Sequence, residues 1–70
     1  MEIIMTQQYI LAFDYKISNL KPHFEALDVE RLLVCNNKLG TAIVVANDEQ
    51  LEVISKNKNI IAYESIEYFH

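Results

Sequence analysis

Residues 30–46 read Glu-Arg-Leu-Leu-Val-Cys-Asn-Asn-Lys-Leu-Gly-Thr-Ala-Ile-Val-Val-Ala. Two apolar runs, 30–36 and 41–46, flank Asn36-Asn37-Lys38-Leu39-Gly40. Asn and Gly tolerate positive φ, so the segment predicts a β-hairpin closed at 36–40. The segments on either side of this hairpin set the remaining topology.

Upstream, Tyr9-Ile10-Leu11-Ala12-Phe13-Asp14-Tyr15 alternates. Tyr9, Leu11, Phe13 and Tyr15 share one face, which predicts a strand over 9–15. Ser18-Asn19 offers an N-cap, Pro22 fits a first turn, and Leu20, Phe24 and Leu27 recur at helical spacing. A helix of about two turns is expected near 20–28.

Downstream, Asn47-Asp48-Glu49-Gln50 has the spacing of a capping box, with acids in the first turn where the helix dipole favours them. Leu51 and Ile54 share a face, and Lys56 and Lys58 sit at the other end. Asn57 or Asn59 is suited to a left-handed stop. Residues 60–69 then read as a last strand and its tail. The order is β-α-β-β-α-β. This predicts an α+β, ferredoxin-like domain, an antiparallel four-stranded sheet with two helices on one face. Its parts are an N-terminal extension over 1–7, a core over 8–66 and a C-terminal tail over 67–70.

Helices on one side leave the other sheet face bare, and a bare antiparallel face should alternate apolar with polar. Here the strands are apolar on both sides. Ile10 and Ala12 oppose Leu11 and Phe13; Val44 and Ala42 oppose Ile43 and Val45; Leu33 and Cys35 oppose Leu32 and Val34. An apolar patch on the bare face is therefore expected, and such a patch marks an interaction surface.

Composition narrows the classes further. Leu, Ile, Val and Phe make up 24 of 70 residues, which excludes intrinsic disorder. A domain this short leaves roughly 40% of its unfolded surface exposed, so its core is thin. One Cys provides neither a disulfide framework nor a Cys-based zinc site. The net charge is -4, and five Lys and the single Arg31 are scattered. Binding to nucleic acid or to an anionic membrane surface is disfavoured. No apolar run reaches the length of a spanning helix. Met1-Glu2-Ile3-Ile4-Met5 lacks the basic and apolar regions of a secretory signal, so a cytoplasmic or intracellular location is expected.

No catalytic, cofactor or metal constellation stands out. Ser18, Ser55 and Ser65, His23 and His70, and Cys35 are spread along the chain without triad or zinc spacing. Asp48, Glu49 and Glu52 read as a helix start and a solvated face. Glu64 and Glu67 read as rim or contact acids on an extended segment. Gly40 alone cannot form a phosphate-cradling loop. A hydrolase on this topology would want an Arg in an anion-binding loop, whereas Arg31 opens a strand. The tail Glu67-Tyr68-Phe69-His70 places two adjacent aromatics after the last strand, suited to adding as an extended strand in another protein's groove.

Tyr9-Ile10-Leu11-Ala12-Phe13, Asn47 to Leu51, and Lys56-Asn57-Lys58-Asn59-Ile60 followed by Tyr63-Glu64 together resemble the propeptide, or inhibitor, domain of subtilisin-like serine proteases. The resemblance spans about residues 8–70. Lys58 stands where that family has Pro, Thr41 where it has an aromatic residue, and Ser65 where it has a second acid. The resemblance implies a chain that is not itself an enzyme and needs no cofactor. It implies an intramolecular chaperone and inhibitor whose open sheet face, with Glu64 and Ser65 at the interface, packs on surface helices of the protease catalytic domain. The tail Glu67, Tyr68, Phe69 and His70 would lie in the non-primed substrate subsites, with processing after His70. An intracellular or spore-associated bacterial protease, as in clostridial spore germination, would suit such a domain. The alternative is a small interaction module that forms a homodimer, or binds a structural partner, through the same face.

Overall fold

A computed structural model describes residues 5–66. The elements run β1 (Thr6–Phe13), α1 (Lys21–Glu25), β2 (Arg31–Asn36), β3 (Thr41–Asn47), α2 (Asp48–Lys56) and β4 (Ile60–Ile66). The strands form one sheet in the order β2-β3-β1-β4, with every neighbouring pair antiparallel. This is the expected α+β arrangement: each helix-containing crossover skips one strand, and the skipped strand fills the gap.

The hairpin closes as its residues require. The Asn36 carboxamide oxygen accepts from the backbone N–H of Lys38 and of Leu39, both at 3.0 Å. Gly40 has φ +68°, the left-handed region that a Cβ disfavours. Its N–H donates to the Asn36 carbonyl, and its carbonyl accepts from Phe13 N–H, tying the turn to the end of β1.

The start of α2 is fixed by a reciprocal pair. Gln50 N–H donates to Asn47 Oδ1 at 2.8 Å, and Asn47 N–H donates to Gln50 Oε1 at 3.0 Å. The Glu30 carboxylate accepts from both side-chain amides, at 3.4 and 3.3 Å. A negative charge carried in from the residue before β2 thus sits at the helix start, where the dipole favours it. The helix ends without a left-handed residue. Asn57 is extended (φ -77°, ψ 111°), and no non-Gly residue among those described has positive φ. Instead Asn57 Oδ1 and its carbonyl accept from the N–H groups of Asn59 and Ile60. That turn feeds β4 directly and makes a left-handed cap unnecessary.

Three boundaries differ from the sequence reading. β1 begins at Thr6, because Thr6 and Gln7 pair with Asn47 and Ala46; the sheet thus starts before residue 8. It ends at Phe13, because the Asp14 carboxylate accepts from Lys16 N–H and turns the chain, leaving Tyr15 exposed. α1 is only five residues long. Its cap is Leu20, not Ser18 or Asn19, and no side chain caps it; Asn19 Oδ1 accepts from Lys21 N–H in the turn just before, and the helix stops as Ala26 and Leu27 bond back to Pro22 and Phe24.

The core lies on one side of the sheet. Tyr9, Leu11 and Phe13 from β1 and Ala42, Val44 and Ala46 from β3 pack with Leu20 and Phe24 of the α1 region and Ile54 of α2. Leu11 and Val44 are fully buried, and Phe13 meets Phe24 edge-to-face at 5.2 Å. Both helices therefore cover the same face.

Asn47→Ala removes the cap oxygen while leaving the strand pairing in place. It should lower stability by about 1 kcal/mol in urea denaturation. Gln50→Ala should add less in the Asn47→Ala background than in the parent, since the two side chains act as one pair.

Candidate functional site

The register defines the face that the helices leave open. At one end of the sheet, Arg31, Val45, Gln8 and Ile66 form a row across β2, β3, β1 and β4. The middle row is Val34, Ile43, Ile10 and Glu64. The far row is Asn36, Thr41, Ala12 and Ala62. Seven of these twelve residues are aliphatic. Ile10 is 37% exposed and Val34 is 50% exposed, although both lie within the sheet. Over Ala12, Thr41 and Ala62 the face sinks into a shallow depression of about 210 Å3, bordered by Ile10 and Glu64. The small side chains leave this hollow between taller neighbours.

Its two charged groups stand apart. Arg31 is on edge strand β2 in the end row, and Glu64 is on edge strand β4 in the middle row. Among the described residues neither takes part in a side-chain hydrogen bond or ion pair; the one ion pair found there is Lys56–Glu52 on α2.

The expected apolar excess is on this face, but β2 does not alternate as its sequence suggests. The β2–β3 register shifts between Leu32 and Val34. Leu33 is the extra residue of a bulge, so Leu32 and Cys35 fall on the helix side while Arg31 and Val34 fall on the open side. The grouping of Leu32 with Val34, and of Leu33 with Cys35, is corrected accordingly. β2 is also exposed on both sides, because the short α1 and α2 cover the central strands and stop short of this edge.

The two acid-end residues separate. Glu64 pairs with Ile10 and belongs to the open face, whereas Ser65 pairs with Tyr9 and belongs to the helix side. Glu67, Tyr68, Phe69 and His70 lie outside the described residues, as do Met1 to Ile4.

The remaining polar candidates are dispersed. Ser18 is in the β1–α1 connection, and the Ser55 hydroxyl donates to the Glu52 carbonyl on α2. His23 lies on α1, tilted against Phe13 at 6.4 Å, and Cys35 is exposed on β2. Among the described residues no three His, Cys, Asp or Glu side chains come together as metal ligands, and no helix is long and apolar enough to cross a membrane. Sequence reasoning missed the place of Arg31 on the open face. Alternation pointed the right way from Val45 outward, but the bulge reversed the count along β2.

No protein-family model, curated protein or solved structure matches the chain.

One chemical change at neighbouring strand positions separates the two faces. Val44→Thr puts a hydroxyl into the dry core and should cost about 1–3 kcal/mol. Val34→Thr leaves its hydroxyl in water and should cost less than about 1 kcal/mol. Urea denaturation of the two variants measures the difference.

Proposed function

We propose that the chain is a prodomain of a subtilisin-like serine protease, acting as intramolecular chaperone and inhibitor. One observation carries the reading: an aliphatic sheet face, uncovered by the domain's own helices, has the acid Glu64 in its middle row. A domain of this size gains little from an apolar face left in water, and gains much when a partner covers it. In this reading the face packs on surface helices of the catalytic domain, and Glu64 meets their N-terminal N–H groups. In the same reading the tail Glu67, Tyr68, Phe69 and His70 is the segment that occupies the substrate groove of the protease, with alternate side chains filling subsites. Ser65, on the helix side, contributes at the margin at most. The domain itself performs no chemistry, and its setting is that of an intracellular bacterial protease.

The test is inhibition of a purified bacterial subtilisin by the 70-residue chain. Micromolar or tighter competitive inhibition is expected, together with faster refolding of the denatured protease. Removing Tyr68 to His70 should weaken inhibition by at least about tenfold, since the groove contacts are lost with the tail. Absence of inhibition and of any refolding effect at 100-fold excess over the protease would overturn the proposal.

A further inference from the structure

The open face carries charges that complement a second copy of itself. Its two ionised side chains are of opposite sign and sit near opposite edges, Arg31 on β2 and Glu64 on β4, with Ile43 and Ile10 between them. We infer that the free chain forms a reversible two-fold dimer through this face, with its axis parallel to the strands, pairing Arg31 of each copy with Glu64 of the other.

The geometry selects this axis. A two-fold in the interface plane and along the strands lays β2 of one copy over β4 of the other, and β3 over β1. Ile43 then stacks on the second copy's Ile10, twice by symmetry. Arg31 lies one row away from the opposing Glu64. Rows on one face are about 6.8 Å apart and packed sheets about 10 Å apart, so the two Cα atoms stand about 12 Å from each other. Extended Arg and Glu side chains span that separation together. A two-fold across the strands instead sets Glu64 over Glu64, and like charges facing each other in an interface are costly.

The area sets the strength. Four strands at about 4.8 Å and three rows at about 6.8 Å make a patch of about 400 Å2 in projection, or about 800 Å2 over two copies. Standard stable interfaces bury about 1,200–2,000 Å2 in total, so this one belongs to the weak, exchanging class. Half-dimerisation is expected between about 10 and 500 µM. A dimer of that strength gives way to a tighter ligand of the same face.

The test is sedimentation equilibrium of the full chain from 5 to 1,000 µM, with circular dichroism to verify folding of each variant. The parent should dimerise reversibly. Arg31→Glu and Glu64→Arg each set like charges together at two places and should raise the dissociation constant at least about tenfold. The double variant Arg31→Glu/Glu64→Arg restores opposite signs and should return it to within about threefold of the parent. A monomer throughout, a dimer indifferent to both reversals, or a double variant as weak as the singles would overturn the inference.

Discussion

Two short helices cannot cover two sides of a four-stranded sheet. α1 has five residues and α2 nine, and both pack on the face formed by Leu11, Phe13 and Val44. Every other feature follows from how that covering is spent. It reaches the central strands β1 and β3, whose inward residues are buried, and stops before both edge strands, β2 and β4. The core is one layer deep, and its stability rests on full burial of a few side chains. Neither Leu11 nor Val44 has any solvent contact.

What the sequence made legible was what depends on neighbours along the chain. The capping box is set by Asn47 and Gln50, three residues apart, and the hairpin by Asn36 and Gly40 around one turn. Both formed as their residue types demand. The faces of β1 and β3 were legible too, since unbroken alternation runs through Tyr9, Leu11 and Phe13 and through Ala42, Val44 and Ala46. Hidden were the features that depend on a partner distant in sequence. The bulge at Leu33 leaves no mark in a run of Leu-Leu-Val, where any register looks equally apolar, and the strand's period is lost there. Nothing near Glu30 in the sequence marks its contact with Gln50, 20 residues ahead in the first turn of α2.

The distribution of charge then separates the two sides of the molecule. The helix layer carries Asp48, Glu49, Glu52 and Lys56 in water, and Lys56 and Glu52 pair across one turn at 3.2 Å. Such a pair contributes little to stability and keeps that surface hydrated. The open face holds one charge of each sign among its twelve positions, so it is nearly neutral while the chain as a whole carries -4. A net acidic chain repels its own copies at long range, whereas a neutral apolar face attracts at contact.

That contrast bears on why the apolar excess is tolerated at all. Edge strands and bare sheet faces invite uncontrolled pairing, and proteins restrain them with bulges, charges and short edges. Here β2 carries a bulge at Leu33 and begins with Arg31, while β4 places Glu64 at the middle of its outward side. The same two charges that interrupt indiscriminate stacking of aliphatic rows permit one orientation in which opposite signs meet. A face restrained in this way is selective without being inert. Its aliphatic centre supplies a drive toward burial, and its two edge charges determine which surfaces satisfy it.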